Sequence, residues 1–240
     1  MKVKPYQDST LSKKEQVSEM FNTISSNYDV LNRVISFGID VRWRNKIVDI
    51  LKKKHPKIIL DVATGTGDLA INLCKTNADK IIGLDISHGM LDIGKTKIKQ
   101  QQLDHQIEMI LGDSEQMPFD NNTFDAITVA FGIRNFENLE IGLKEIYRVL
   151  KPKGDFIILE TSQPTKIPYK QLYKLYSTYI LPNIGKFFSK DKKAYKYLSE
   201  SASVFPFGQE LNNILKKIGF TQVTHHPQTF GVATIYKSTK

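Results

Sequence analysis

Apolar residues recur along the first fifty positions with the spacing of amphipathic helices. One stripe runs from Val17 to Leu31 at steps of three and four residues, and a second follows Asp40, which is suited to cap that helix. From Ile58 onward the pattern changes to short β-branched runs that alternate with helical stripes. This alternation predicts a parallel sheet covered by helices on both faces.

Five short apolar runs are predicted to be the strands of this sheet. They are residues 58–63, 80–85, 107–111, 124–130 and 156–159. Ser87 is placed to cap the helix after the second run, and Pro152 and Gly154 end the helix before the fifth. A last helical stripe ends at Gly219, and runs near Val223 and over 231–236 predict two closing strands joined by a short turn.

The segment between the fifth run and the last helix interrupts this rhythm. We therefore divide a single domain, residues 1–240, into four parts: an N-terminal helical cap (1–54), a core (55–161), an aromatic and basic insert (162–208) and a closing part (209–240). In the insert, residues 169–180 place aromatic and apolar side chains on one helix face, with lysines nearby. Such a face either packs on the core or lies at the headgroup boundary of a bilayer.

Composition limits the classes to which the chain can belong. It has 240 residues, of which 40% are hydrophobic and 25% charged, as in an ordinary globular protein. No apolar run approaches the roughly 20 residues of a membrane-spanning helix, and no secretory signal is apparent, so we expect an intracellular, cytoplasmic protein. The single cysteine, Cys74, excludes a disulfide framework and a cysteine-based zinc site, and no other metal site is apparent. The net charge of +9 suits nucleic acid or an anionic membrane, but a solvated surface explains it more simply.

A glycine-rich turn separates the first predicted strand from its helix. In the stretch from Asp61 to Ala70, Gly65 and Gly67 allow a tight turn and a close approach of backbone to ligand. The helix that begins near Gly67 offers free N–H groups to a negative group. Gly-x-Gly-x-x-Ala also fits the dinucleotide fingerprint, so the turn alone does not choose between NAD and another nucleotide-like cofactor.

Acidic residues at three successive strand ends make that choice. Asp61 precedes the glycines, where it would receive an ammonium group and repel a pyrophosphate. Asp85 ends the second strand and is placed to accept both ribose hydroxyls, a feature that NAD would share. After the third strand, Asp113 can accept an exocyclic amine, while the backbone N–H of Ser114 reaches a ring nitrogen. An adenosine that carries an amino acid meets all three conditions, which describes S-adenosyl-L-methionine.

Several stretches then resemble known sequences. The glycine turn, residues 83–87 and residues 112–119 resemble the class I methyltransferase pattern. A more specific resemblance, from about residue 15 to the end, is to the ubiquinone and menaquinone biosynthesis C-methyltransferases, the UbiE/MenG family. The stretches that carry it are residues 21–29, 36–40, 130–136 (Ala-Phe-Gly-Ile-Arg-Asn-Phe), 179–182, 194–198 and 203–206.

This resemblance implies a Rossmann-like α/β fold with a mostly parallel seven-stranded sheet, helices on both faces and an antiparallel closing strand. It implies that S-adenosyl-L-methionine methylates a ring carbon of a polyprenylated quinol, and we favour demethylmenaquinol over a 2-polyprenyl-6-methoxy-1,4-benzoquinol. Departures from the family pattern, such as Lys153, Ala130 and Ser199, leave the three carboxylates untouched. The expected cofactor-binding residues are Asp61, Thr64, Gly65, Gly67, Asp85, Ile86, Asp113 and Ser114.

Ring methylation requires a nucleophilic carbon, which arises when the adjacent hydroxyl loses its proton. Because a phenol has a pKa of about 10, stabilising the phenolate is the natural task of the enzyme. We assign this electrostatic role to Arg134, which stays protonated and is a poor base. Asn135 is expected to orient the quinol oxygen, and Tyr28, with Asp29, to close over the site.

Rival functions are less well supported. The position after the fourth strand reads Ala130 to Ile133 where exocyclic-amine methyltransferases of nucleic acids carry an Asn/Asp-Pro-Pro-Tyr-type turn, and Cys74 is poorly placed to be a nucleophile. We therefore expect no nucleic-acid partner. An NAD-linked oxidoreductase and a non-catalytic quinone-binding subunit remain alternatives. Expected partners are the polyprenylated quinol and, peripherally, the anionic inner face of the cell membrane, while a homodimer is left open.

Overall fold

A computed structural model describes residues 3–180 and 191–240 of the chain. Within these ranges the backbone forms a seven-stranded sheet whose order is β3-β2-β1-β4-β5-β7-β6. The strands are β1 (Ile58–Val62), β2 (Lys80–Asp85), β3 (Ile107–Leu111), β4 (Phe124–Ala130), β5 (Leu150–Thr161), β6 (Thr221–Gln228) and β7 (Ala233–Thr239). The first five strands are parallel, and β7 is antiparallel to both β5 and β6. The predicted mostly parallel sheet with an antiparallel closing strand is confirmed.

Helices cover both faces of this sheet. They are α1 (Lys13–Ile35), α2 (Ile39–Lys52), α3 (Asp68–Leu73), α4 (His88–Gln100), α5 (Leu139–Val149), α6 (Tyr169–Leu175), α7 (Lys192–Val204) and α8 (Gln209–Ile218). One apolar core joins the sheet to α5 and α8, and a second joins its other face to α2, α3 and α4. The central strands β1 and β4 are buried on both faces, which explains their nearly continuous apolar sequence.

Some local predictions were wrong. Asp40 does not cap α2, because the helix begins at Ile39, two residues before the predicted start, after Gly38 in a left-handed conformation. Instead Asp40 is buried and forms ion pairs with Arg33 and Arg44, so its carboxylate is engaged by side chains rather than by backbone N–H groups. The fifth strand begins at Leu150, earlier than the short apolar run that signals it. Pro152 and Gly154 therefore lie inside β5 and do not end the preceding helix, which ends at Val149. The predicted caps Ser87 and Gly219 are confirmed.

Helix α1 lies across one end of the sheet. Its apolar residues Val17, Met20 and Ile24 form a third core with Met90 of α4 and with Tyr197 of α7. A capping box at Ser12 and Glu15 fixes the start of the helix. The N-terminal cap is therefore packed onto the carboxyl ends of the strands, where ligands bind in open α/β sheets.

The aromatic insert is only partly packed. Helix α6 has no buried residue and continues into a π-helical turn over Tyr176–Ile180. The insert residues Leu181, Pro182, Phe187 and Phe188, which entered the sequence prediction, lie outside the described residues. Among the helices of the described ranges, none has the length and apolarity needed to cross a bilayer.

Candidate functional site

A cleft opens between α1 and the carboxyl ends of β1, β2, β3 and β4. It holds about 690 Å³ of space, its open mouth included, which lies within the range of small-molecule sites. Apolar side chains from α1, α4 and the loop after β4 form most of its wall, and acidic and amide groups lie at its rim. The polar residues at its lining are Lys14, Tyr28, Asp85, Asp113, Ser114, Glu115, Asn135 and Glu137.

Asp85 at the end of β2 is the most enclosed carboxylate of the lining. One of its oxygens accepts a hydrogen bond from the backbone N–H of Gly65 at 2.7 Å, and the other accepts from Ser87 at 2.9 Å. Burial raises the pKa of Asp85, while these backbone donors oppose that effect. Each oxygen keeps acceptor capacity toward the cleft, so the carboxylate can take two hydroxyl groups.

The backbone around the glycine turn adopts conformations that few side chains tolerate. Gly65 and Gly67 both have positive φ angles, of 58° and 79°, as the sequence predicted for a tight turn. Across the cleft, a Cβ atom on Gly132 would lie 2.5 Å from the Cβ of Ala63. The loops after β1 and β4 therefore approach each other closely only because residue 132 has no side chain.

Asp61 lies beneath the turn rather than on the cleft wall. The hydroxyl of Thr64 donates to one of its oxygens at 2.7 Å, and that of Thr128 donates to the other at 2.6 Å. Burial raises the pKa of this carboxyl group, which is 1% exposed, to about 6. In this arrangement Asp61 holds the turn in place through Thr64, and its charge acts on the cleft from one layer behind.

At the end of β3 the carboxylate of Asp113 forms an ion pair with Lys14 of α1. Its other oxygen accepts from the backbone N–H of Glu115 at 2.8 Å, which fixes its position. Burial alone would lower the pKa of Lys14, but the hydrogen bond to Asp113 and the charges of Asp113, Glu115 and Glu137 together outweigh this effect, and the pKa is raised. An exocyclic amine that bound Asp113 would therefore compete with Lys14.

The three proposed catalytic residues lie in different positions, since Tyr28 is on α1 whereas Arg134 and Asn135 follow β4. Tyr28 and Asn135 line the cleft, and the amide oxygen of Asn135 accepts from the hydroxyl of Tyr197 at 3.1 Å. Arg134 lies behind the wall, where its Nη1 donates to Glu160 at 2.6 Å and to the carbonyl of Phe131 at 2.7 Å. Its charge is thus already paired inside the protein.

The structure brings most of the predicted cofactor residues to one place. Gly65, Asp85, Ile86, Asp113 and Ser114 line the cleft, whereas Asp61, Thr64 and Gly67 support it from behind.

Sequence reasoning missed the contributions of α1, namely Lys14, Val17 and Phe21, and missed Glu160. The amphipathic stripe marked Val17 as a buried residue, but no sequence signal distinguishes a helix that covers a cleft from one that covers a core.

Comparisons with known proteins decide the family. The family model described as the ubiE/COQ5 methyltransferase family matches residues 9–240. The chain belongs to this family.

Relatives named demethylmenaquinone methyltransferase are similar over almost their whole length. The protein from Bacteroides fragilis is 46% identical over 240 residues, which are all of this chain and 98% of the relative. The one from Porphyromonas gingivalis is 41% identical with the same coverage, and the one from Bacillus cereus is 45% identical over 95% of this chain and 97% of its own length.

Solved structures support the fold of the family. A methyltransferase from Thermotoga maritima, described as a possible histamine N-methyltransferase, matches 93% of this chain and 99% of its own with a TM-score of 0.65. A putative S-adenosyl-L-methionine-dependent methyltransferase from Methanococcus maripaludis matches 92% of this chain and 94% of its own with a TM-score of 0.64. Both are 18% identical in sequence, so they establish the class I methyltransferase fold alone.

The protein is therefore an S-adenosyl-L-methionine-dependent methyltransferase, and its cleft fits that cofactor. A Cβ on Gly65 would meet no atom within 4 Å, so the space beside the turn is open. Asp85 would hold the ribose hydroxyls, and Asp113 with the N–H of Ser114 would hold the adenine edge, between the apolar side chains of Phe21 and Met90. Asp61 would stabilise the amino-acid end by its charge.

Proposed function

We propose that the methyltransferase transfers a methyl group to a ring carbon of demethylmenaquinol. The names of the relatives at 41–46% identity over nearly the whole chain support this substrate. The observation that carries the proposal is that two kinds of lining residue meet in one cleft. The acidic rim at Asp85 and Asp113 adjoins a wall made by Tyr28, Phe131 and Asn135, which offers an aromatic surface and an amide to a hydroxylated ring.

The cofactor supplies a methyl group on a positively charged sulfur. The chain's own residues have the tasks of orientation and of water exclusion, since an in-line displacement needs both groups at near-attack distance. Asp85 and Asp113 orient the adenosine. The apolar side chains of Val17, Phe21 and Phe136 cover the cleft and keep water from the transferring group.

Two residues beyond β4 and Tyr28 of α1 are proposed to activate the ring. Asn135 is oriented by Tyr197 and presents its amide to the quinol oxygen. Arg134 contributes its positive charge from behind the wall, where a low dielectric strengthens its action on a developing oxyanion. Burial raises the pKa of Tyr28, so its phenol stays protonated and is available to donate a hydrogen bond over the ring.

A methyl-transfer assay tests this function directly. Purified protein is given radiolabelled S-adenosyl-L-methionine with chemically reduced demethylmenaquinone or with reduced 2-polyprenyl-6-methoxy-1,4-benzoquinone. We expect label in the naphthoquinol product, with an NADH-only reaction as the control that shows no turnover. Label in the benzoquinol alone, or in neither product, would contradict the proposal.

We further propose that the exposed insert binds the anionic surface of a membrane, where a polyprenylated substrate resides. The apolar ridge, defined as Phe37, Ile167, Leu172, Leu175 and Tyr179, is exposed to solvent, with Leu172 58% and Phe37 74% exposed. The ring of Tyr176 lies 6.2 Å from that of Phe37, and its hydroxyl donates to the carbonyl of Ile35 at 2.7 Å, so α6 and the end of α1 form one surface.

The charge beside this ridge supports an anionic membrane as its partner. Lys166, Lys170 and Lys174 are exposed beside it, and each lysine near an anionic bilayer contributes about 1 kcal/mol. Cosedimentation with phosphatidylcholine vesicles, with and without phosphatidylglycerol, measures the binding. We expect binding only to the anionic vesicles, weakened by salt and reduced roughly tenfold in L172S/L175S. The control variant I141S, on α5, should bind normally. Equal binding by the two variants would refute the assignment.

A further inference from the structure

Two polar atoms behind the cleft wall lack a hydrogen-bond partner. They are Nε of Arg134 and Oε2 of Glu160, and neither is reached by solvent. The side chains are 8% and 1% exposed, so neither atom is satisfied by bulk water. A buried polar group without a partner is unfavourable, because it has lost its hydrogen bonds to water and gained none in the protein. A donor and an acceptor left open within one ion pair indicate a ligand that supplies both kinds of group.

The other oxygen of Glu160 is fully engaged. Oε1 of Glu160 accepts from Arg134 at 2.6 Å, from the backbone N–H of Thr161 at 2.8 Å and from its hydroxyl at 3.1 Å. These contacts hold the carboxylate rigidly at the end of β5. Only Oε2 is left to accept a proton or a hydrogen bond.

Phenol groups surround this pair from several elements. Burial raises the pKa of Tyr28 on α1, of Tyr173 on α6 and of Tyr197 on α7, and the charge of Arg134 lowers each of them in part. Tyr236 of β7 is also raised, to about 12, first by burial and then by Glu160 among its neighbours. The protein thus keeps aromatic hydroxyls protonated around one arginine and one carboxylate.

The pair is also close to the cleft. Asn135 follows Arg134 directly in the chain and lines the cleft, as do Phe131 and Tyr28. Tyr28 also lies close enough to Arg134 for the charge of the guanidinium to lower its pKa in part, so a ring held against this wall lies near the pair.

We propose that Oε2 of Glu160 accepts the proton of the ring hydroxyl during methyl transfer, while Arg134 stabilises the oxygen. This inference rests on the function proposed above and assigns a catalytic role to a residue that the sequence did not single out. The reactive carbon forms its bond to the methyl group as the methyl–sulfur bond breaks, and the hydroxyl O–H bond breaks as Oε2 takes the proton. The hydrogen on the methylated carbon then leaves to solvent as a proton, and Glu160 returns its own proton to the oxygen.

A carboxylate is basic enough for this step because the hydroxyl changes during it. When the ring carbon donates its electron pair, positive charge develops on the ring and the hydroxyl becomes strongly acidic. Proton transfer in the transition state by a positioned group typically contributes 10²–10⁴-fold. Arg134 cannot serve as the base itself, since its guanidinium stays protonated.

The test compares Glu160→Gln with a matched variant on the same strand, Asp155→Asn. Asp155 is also buried, and it pairs with Lys54 and Lys237 away from the cleft. We expect E160Q to bind S-adenosylhomocysteine within threefold of wild type but to lose 10²–10⁴-fold in kcat. Its residual activity should rise with pH toward the ionisation of the free hydroxyl, near pH 10. D155N should keep kcat within threefold and an unchanged pH profile.

Glu160→Asp keeps the charge beside Arg134 and serves if E160Q does not fold. The aspartate side chain is one methylene group shorter, so its carboxylate lies farther from the ring hydroxyl. We therefore expect kcat to fall about 10–100-fold. A kcat for the folded variants within threefold of wild type, with a parallel pH profile, would overturn the proposal and leave the pair a purely structural one.

A binding measurement keeps this inference separate from the proposed function. In the presence of S-adenosylhomocysteine, wild type should bind 4-methoxy-1-naphthol about tenfold more tightly than 1,4-dimethoxynaphthalene, which has no hydroxyl. E160Q should lose this preference, and an equal preference in both proteins would refute the role of Glu160. If wild type shows the preference but does not methylate demethylmenaquinol, the substrate is wrong while the acceptor site stands.

Discussion

Replacing Asp61 by Asn should separate the stability of the fold from its affinity for the cofactor. Both carboxylate oxygens of Asp61 accept from threonine hydroxyls, at 2.7 Å from Thr64 and at 2.6 Å from Thr128. An asparagine can keep both contacts, since its oxygen accepts from one hydroxyl while its NH₂ donates to the other. The substitution therefore removes the charge and leaves the geometry nearly intact.

The size of the effect follows from the pKa of Asp61. Burial raises it from 3.8 to about 6, a difference equivalent to about 3 kcal/mol. Between pH 3.8 and about pH 6 the carboxyl group of Asp61 keeps its proton in the folded state but has lost it in the unfolded state. The free energy of unfolding therefore falls as pH rises through this range, and the full penalty for the buried charge is present above pH 6. Altered hydrogen bonding in D61N offsets about 1 kcal/mol of this difference. D61N should therefore be more stable than wild type by about 2 kcal/mol at pH 8.

Urea denaturation of wild type and D61N at several pH values between 4 and 8 measures this difference. We expect the advantage of D61N to shrink as pH falls and to vanish between pH 4 and pH 5, with other titrating groups cancelling in the comparison. A constant difference across this range would refute the claim that burial destabilises the charged carboxylate.

Cofactor binding should respond in the opposite direction. A positive ammonium or sulfonium near the turn favours the ionised form of Asp61, so binding near pH 6 should release a proton. Calorimetric titration with S-adenosylhomocysteine in buffers of different ionisation enthalpy detects this proton. We expect D61N to bind S-adenosylhomocysteine at least tenfold more weakly and to release no proton. An unchanged affinity would show that the charge of Asp61 does not contribute to cofactor binding.

Three further substitutions probe the cleft. Gly132→Ala should destabilise the protein by about 1–3 kcal/mol in urea unfolding, because the new Cβ meets that of Ala63 at 2.5 Å, and a loss under 0.5 kcal/mol would contradict that contact. Asp113→Asn should raise KM for S-adenosyl-L-methionine about tenfold with little change in kcat in steady-state assays, and the reverse pattern would place Asp113 in the chemistry. Tyr197→Phe removes the hydroxyl that orients Asn135, so kcat should fall about tenfold while cofactor affinity stays unchanged in titrations.

Much of the fold was predictable because local patterns determine it. The β-branched runs marked the first four strands, and helical stripes marked the elements between them. Asp85 and Asp113 were predictable for a related reason, since the end of a parallel strand fixes which residues face the ligand cleft.

The remaining features depend on contacts between distant segments. Aspartate is common at the N-cap of a helix, but the ion pairs of Asp40 with Arg33 and Arg44 decide its role here. Arg134 was recognised by its motif, while its pairing with Glu160 joins residues 26 positions apart that no local pattern connects. The position of α1 over the cleft likewise follows from packing against α4 and α7.

We expect this cleft to hold the adenosine and to present the sulfur to a ring beside Asn135. A crystal structure of the protein with S-adenosylhomocysteine and 4-methoxy-1-naphthol would show both ligands at once. We expect the ribose hydroxyls on Asp85, the adenine at Asp113 and Ser114, and the naphthol ring against the wall beyond β4. Adenosine bound anywhere else, or a naphthol ring away from that wall, would contradict this expectation.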